Sequence, residues 1–374
     1  LGYVGEETIK RLLYLVAISR KLPDPHSAVI LSQSGAGKSS ITEVIERLTP
    51  PEDVVLLTRL TPQSLYYVEQ GFLDRKLVII EERYGSIEAD YSIRVLQSRK
   101  KLIAAAPIKD PQTGNMRTKI FSVEARAAFI EATTATSVNQ ENATRCFELS
   151  MDESVEQTQR IHERQRLLRT EAGLELRQQS EGLLRLHWNA QRLLEPLPVV
   201  IPFAKEIAFP SAWMRTRRDH ARFLNLIEVS AFVHQHQRER RNGAIYADVK
   251  DYDVAYALAK TVLTDTLSEL KKPLRNVYGC IQRLSRENDQ AVSRREVREA
   301  LQMPDSTVRR WLSELVELEY LEVETKGQGR AARYRLTGRG PKEEMVLGLL
   351  APSELRARLN LATSPNFATR GGEV

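Results

Sequence analysis

The stretch VILSQSGAGKSSIT, Val29 to Thr42, constrains this chain more than any other. The apolar run Ala28-Val29-Ile30-Leu31 reads as a buried strand. It breaks into a loop of small residues, Ser32 to Gly37, and Lys38, Ser39 and Ser40 then open a helix through Val44 and Ile45. Strand, loop and helix in that order make a phosphate cradle. The backbone N–H groups of Ser34, Gly35, Ala36 and Gly37, with those of the helix N-terminus at Lys38 to Ser40, face an anion. Lys38 reaches the β- and γ-phosphates, and Ser39 offers its hydroxyl to Mg²⁺. One position departs from the strict pattern: Ser32 stands where a glycine usually opens the turn without steric cost.

A phosphate loop that hydrolyses ATP needs acids, and KLVIIEER, Lys76 to Arg83, supplies them at the end of an apolar strand. Glu81 is expected to complete the Mg²⁺ shell, although Asp is more usual there. Glu82 is expected to orient and deprotonate the attacking water. A further buried strand, Ala127 to Thr133, ends in Thr133-Thr134, where a hydroxyl can sense the γ-phosphate. In NQENATRCFEL, Asn139 to Leu149, Arg145 lies just before a short apolar strand. In a ring it can reach a neighbour's γ-phosphate; on a lone subunit it is a surface arginine in a salt bridge. Thr216-Arg217-Arg218-Asp219 opens another helix, with Arg218 the first candidate for nucleotide contact, Arg217 the second and Arg222 a distant third.

Between these lie ordinary elements. Helices are expected at Glu6 to Leu22, ended by Pro23 and Pro25, at Thr61 to Gln70 and at Tyr91 to Arg99. Lys101 to Ala106 and Met116 to Val123 read as a hairpin around Asp110 to Asn115, with Lys109, Arg117 and Lys119 near its tip. This is either a solvated surface hairpin or one that carries basic residues to a nucleic-acid backbone. Residues 1–150 are thus read as the core, 151–199 as a charged helical linker and 200–272 as a helical lid. Residues 273–340 read as a winged helix: three helices, the second opened by a Ser293–Glu296 capping box, the third capped by Asp305 or Ser306, then a hairpin. Thr307, Arg309 and Arg310 are expected on the exposed front of the third helix, with Lys326 and Arg330 at the wing tip. Duplex DNA contact and protein docking are both open to such a unit. Residues 341–374 read as one short helix and a disordered tail.

The formal net charge of +6 and an isoelectric point near 9.2 suit a nucleic-acid partner without requiring one. Cys146 and Cys280 stand far apart and form no metal-spacing motif, so a reducing cytoplasmic setting is expected. No apolar run approaches membrane-spanning length. The chain begins at Leu1, already in helical pattern, as a piece of a longer protein would.

Phosphate loop, Glu81-Glu82, basic hairpin, polar strand end, Arg145, Arg218 and winged helix together resemble a AAA+ ATPase of the minichromosome-maintenance helicase type. The segments SGAGKSS, LVIIEE, YSIRVLQS, KDPQTGNMRT, EATTATSVNQENATRCFEL, DESVEQTQRIH, RTRRDHARFLNLI and LEYLEV are more closely similar to the C-terminal part of bacterial DNA primases with a CHC2 zinc finger, found on plasmids and mobile elements. The resemblance implies an α/β AAA+ core with a parallel sheet flanked by helices, and a hexameric ring around single-stranded DNA gripped by Lys109, with Lys119 the alternate. It also implies a replicative helicase module beside a primase. No zinc-finger pattern or primase centre precedes Val29, so primer synthesis is not expected of this chain. The alternative is a AAA+ initiator, loader or transposition regulator that assembles on DNA without unwinding it.

Overall fold

The apolar runs of the sequence become the centre of a parallel sheet. In the computed structural model, which describes all residues except 62, 83–86, 110–113, 135–139, 210–215, 268–269, 271, 289–290, 325–331, 339–348 and 364–374, the chain divides into two units. One spans Leu263–Leu347 and the other holds the remainder.

The larger unit begins with α1 (Glu7–Ser19), β1 (Ser27–Leu31), α2 (Lys38–Leu48), β2 (Val54–Leu57), β3 (Leu77–Ile80) and α3 (Ile87–Arg99). A hairpin of β4 (Lys101–Lys109) and β5 (Met116–Glu124) follows, then β6 (Ala128–Thr133), α4 (Gln140–Ala143) and β7 (Phe147–Ser150). Five strands form one parallel sheet in the order β2-β3-β6-β1-β7. β1, β3 and β6 are buried along their whole length, which is why they read as unbroken apolar runs rather than alternating ones. Leu31 pairs with Thr133 on one side and Ser150 on the other, so β1, β6 and β7 end at one edge.

α1 stops at Ser19, short of the expected Leu22 and before either proline. Side chains end it: Ser19 Oγ donates to Val16 O at 2.6 Å and accepts His26 N–H at 2.8 Å. The fully buried Arg20 donates to Ala17 O and to Asp53 Oδ2, both at 2.8 Å. The helix expected over Thr61 to Gln70 is reduced to a single turn of 3-10 helix, Ser64–Tyr66. Leu65 is drawn into the core, and the Tyr67 ring meets Phe121 of the hairpin edge-on at 4.6 Å, so tertiary contacts override local helical preference.

The linker forms α5 (Val155–Leu167) and α6 (Glu171–Arg192), capped by Ser154 and Thr170. Gly173 permits their tight turn, since a Cβ there would lie 2.4 Å from Leu167 O. α6 lies along α1 and α2: Tyr14 Oη bonds His187 Nδ1 at 2.7 Å, and Gln191 Nε2 donates to Leu48 O at 2.8 Å. Then come β8 (Val199–Val200), α7 (Thr216–Val233), β9 (Arg240–Arg241), β10 (Ala244–Tyr246) and α8 (Val249–Leu267). β8 pairs in parallel with β10, Val199 opposite Ile245 and Val200 opposite Tyr246.

The smaller unit holds α9 (Lys272–Asn288), β11 (Val292–Ser293), α10 (Arg294–Leu301), α11 (Asp305–Glu317), β12 (Leu321–Glu324) and β13 (Arg333–Leu336). Its three helices and small antiparallel sheet close over Val277, Ile281, Val308, Trp311, Leu312 and Leu315. The Ser293–Glu296 capping box forms, with Ser293 N–H donating to Glu296 Oε2 at 2.6 Å. Pro304 occupies the cap position of α11 and has no side-chain acceptor to offer. Asp305, expected as the cap, pairs instead with Arg294 at 3.1 Å. Thr307 is buried rather than on the exposed front, because it shares the stripe of Trp311 and Leu315 at successive steps of four. Arg309 and Arg310 are exposed. Lys326, Arg330 and residues 364–374 lie outside the described residues. The chain returns to the larger unit as α12 (Pro352–Thr363), tied by Tyr252 Oη donating to Leu350 O at 2.6 Å.

No helix among the described residues is long and apolar enough to cross a membrane, and Cys146 and Cys280 are buried thiols outside any disulfide.

Candidate phosphate-loop site

The loop between β1 and α2 leaves the sheet at the edge where the strands end, the usual position of a ligand crevice in a parallel sheet. Ser32 N–H still donates to Thr133 O at 3.3 Å, continuing the ladder by one residue before the loop departs. Gly35 and Gly37 then adopt φ of 84° and 93°, a backbone that glycine takes without strain, and Gly37 caps α2. Nothing lies within 4 Å of where a Cβ on Gly35 would stand. Ser34, Gly35, Ser39 and Ser40 are exposed and Ala36, Gly37 and Lys38 half-buried.

Lys38 folds back on its own loop. Its ammonium donates to Ser32 O and Gln33 O, both at 2.6 Å. Burial lowers its pKa, and the nearby carboxylates of Glu153 and Glu82 act against that shift. Glu82 is therefore within electrostatic reach of Lys38, at the end of the strand where the sequence places it. Glu81 continues the β3 ladder, its N–H donating to Leu57 O at 3.1 Å, and its charge is felt by Glu46 of α2. Both acids are exposed. Thr133 is buried at the end of β6, beside Leu31, and Thr134 is exposed one residue on. A cation held by loop carbonyls, two left-handed glycines and an open face beside exposed acids fit an ATP phosphate chain. Ser39 and Glu81 are oxygen donors suited to Mg²⁺.

Two contributors escaped the sequence reading. Glu153, three residues past β7, accepts from Ser32 Oγ at 2.7 Å and from Gln33 N–H at 3.1 Å. Tyr3 sets its hydroxyl 3.5 Å from where a Cβ on Gly37 would be, and burial raises its pKa, with Glu6 adding to the effect. Neither has a local signal: each meets the loop through chain that is distant in sequence.

A second group gathers at the opposite edge, where the strands begin. Arg145 precedes β7 by two residues; its Nε donates to Ser98 Oγ at 2.9 Å and its Nη1 to Glu141 O at 2.6 Å. Arg218 bonds Thr144 Oγ1, and Arg94 pairs with Glu141. Burial lowers the Arg145 pKa, and the Arg218 and Arg94 charges lower it further, while Glu141 opposes them. Arg217 is exposed. Arg222 serves packing instead, bonded to Asp219 and held over the Phe147 ring at 5.2 Å.

The hairpin separates the basic residues expected together. Lys109 pairs with Met116, Arg117 with Ile108 and Lys119 with Ala106, so strand alternation sends Lys109 to one face and Arg117 and Lys119 to the other. Lys119 Nζ sits 5.0 Å from the centre of the Phe121 ring, on the face that carries Tyr67. The opposite face exposes Ile103, Ile120 and Met116.

No protein-family model matches the chain, and comparison with curated proteins gives no match.

Proposed function

We propose that this chain is an ATP-driven DNA translocase: a AAA+ ATPase core with a helical lid and a winged-helix unit, acting as a hexameric replicative helicase beside the primase of a mobile element. The observation that carries this reading is the separation of two half-sites on one sheet. Lys38 and Glu82 approach each other at one edge, and Arg145, Arg218 and Arg94 gather at the other.

In this reading Lys38 leaves the loop carbonyls for the phosphates, and the N–H groups from Ser34 to Ser40 hold the remaining charge. Ser39 and Glu81 would hold Mg²⁺, which would supply neutralisation of phosphate charge when bound. Glu82 takes the proton of the attacking water, and Thr133 or Thr134 reports the γ-phosphate. Arg145 and Arg218 serve a neighbouring copy. Arg117 and Lys119, with Phe121 and Tyr67 beside them, suit single-stranded DNA, since a cation meets the backbone and a ring meets a base. Lys109 contacts DNA only if the strand passes the other face. Arg309 and Arg310 are the described candidates for duplex contact.

The test is ATP-dependent displacement of a labelled strand from forked DNA, with Glu82→Gln as control and mass photometry in the same buffer. Displacement by a ring of about six subunits is the expected result. DNA-stimulated ATPase without displacement favours the loader or regulator. On the hairpin, replacing Arg117 and Lys119 by Ala is expected to weaken single-strand binding and flatten its salt dependence by about 0.7 for each phosphate no longer neutralised. An unchanged slope removes that face from the DNA path.

A further inference from the structure

Ser32 is the one departure from the strict phosphate-loop pattern, and the structure gives it a partner. β1 and β7 are neighbours, with Leu31 opposite Ser150. The loop leaving β1 and the chain leaving β7 therefore emerge side by side, and Glu153 reaches across. Its Oε1 takes the Ser32 hydroxyl at 2.7 Å and the Gln33 N–H at 3.1 Å. The carbonyls of these same two residues hold Lys38 Nζ at 2.6 Å. The first turn of the loop is thus gripped from both sides: the carboxylate takes its donors and the ammonium takes its acceptors. A glycine at position 32 would offer no hydroxyl to this grip.

We infer that Glu153 is a positioning residue for nucleotide binding, a latch that works through Ser32 and Gln33 and sets the geometry of the phosphate loop before nucleotide arrives. The inference rests on the phosphate-binding reading of that loop. The latch takes the Gln33 amide and none from Ser34 onward, of which Ala36 N–H donates to Gln33 O at 3.4 Å. It also places a negative charge near Lys38, where the incoming phosphates bring more. Glu153 therefore acts in two opposed ways: its oxygen orders the loop and its charge repels the triphosphate. Glutamine keeps an acceptor oxygen and removes the charge, whereas alanine removes both.

Two measurements on the full chain test this. Hydrogen–deuterium exchange without nucleotide reads the latch itself. Glu153→Ala is expected to speed exchange of the peptide containing Gln33 about tenfold, the scale of removing one charge-assisted hydrogen bond. Ser32→Ala should speed it less, and the double variant no more than Glu153→Ala alone. Glu153→Gln should retain the protection. Titration with a fluorescent ATP analogue reads the consequence. Glu153→Ala is expected to raise Kd about fivefold to tenfold, and Glu153→Gln to bind as tightly as the unaltered chain or more tightly. Unchanged exchange in Glu153→Ala, additive effects in the double variant, or a Glu153→Gln protein as weak as Glu153→Ala would each overturn the latch. Should Glu153→Ala not fold, Ser32→Ala and Glu153→Gln still decide the matter. If exchange responds as expected but the unaltered chain binds no analogue, the phosphate-binding reading fails while the loop contact stands.

Discussion

The two edges of the central sheet differ in what they gather. At the edge where the strands end, glycines with left-handed backbone, a lysine held by carbonyls and two exposed acids surround an open loop. Where the strands begin, Arg145 gathers with Arg94 and Arg218, and burial followed by the charges of the other two lowers its pKa. A strand of four or five residues holds the edges roughly 13 Å apart. Arg145 is further restrained by Ser98 and the Glu141 carbonyl. Parallel strands make this separation unavoidable, since every strand end lies on one side. Within one copy the arginines stand at the edge away from the β1–α2 loop. The proposed assembly needs a second copy to bring the two edges together.

The sharpest way to break the comparison is at the loop. Lys38→Ala is expected to lower ATP turnover by at least about a hundredfold to a thousandfold, the scale of removing a preorganised charge donor. Glu82→Gln is expected to keep ATP binding and lose hydrolysis. Both are read in a steady-state phosphate-release assay, with nucleotide binding measured separately. Ordinary turnover in both variants would leave this edge without a hydrolytic role.

Arg145→Ala strikes the other edge and should cost about as much in turnover, within the range for an arginine supplied by a neighbour, while leaving ATP affinity nearly intact. Mixing it with the Glu82→Gln protein is the decisive step. Each lacks a different half, so mixed assemblies should regain activity at shared interfaces. An Arg145→Ala protein fully active as a monomer would show that the edges work independently. Arg218→Ala is expected to give a smaller loss, and Arg217→Ala smaller still, since Arg218 bonds Thr144 beside Arg145. Equal losses from the two would mean that proximity to Arg145 does not matter.

Much of this sheet was legible in the sequence, because strands buried on both faces have to be apolar throughout. Val29 to Leu31, Leu77 to Ile80 and Ala128 to Thr133 show that pattern, and the loop and its acids follow from the strand ends. What was hidden depended on strand order or on packing at a distance. Ser32 looks like a flaw in the motif until β7 is placed beside β1, bringing Glu153 to it. Thr307 looked polar enough for a surface, yet its spacing from Trp311 and Leu315 buries it. Tyr67 belonged to a helical pattern by composition and left it for the Phe121 ring. The basic hairpin shows a further limit: nearness in sequence suggested one patch, and strand alternation made two.

The smallest expected effect separates packing at the arginine edge from its chemistry. Glu228 on α7 is half-buried, and burial, followed by the Asp24 charge, raises its pKa to about 6. Asp24 precedes β1 at this same edge, 3.4 Å from Lys100. Below the ordinary carboxylate range Glu228 is protonated whether the chain is folded or not. Between about 4.5 and 6 the folded state holds a proton that the unfolded state has released, so stability falls as pH rises through this window. Above it the folded state bears the cost of an ionised, half-desolvated acid, on the order of 1 kcal/mol once solvent screening is allowed for. Glu228→Gln removes that cost. Thermal unfolding should therefore show a Tm raised by about 2 °C at pH 7.5 and no difference near pH 4.5. ATP turnover at neutral pH should be unaltered, in contrast to Arg145→Ala. A gain that persists at low pH would assign the effect to packing rather than ionisation. A loss of turnover comparable to that of Arg145→Ala would mean that the acid and the arginines at this edge form one working unit.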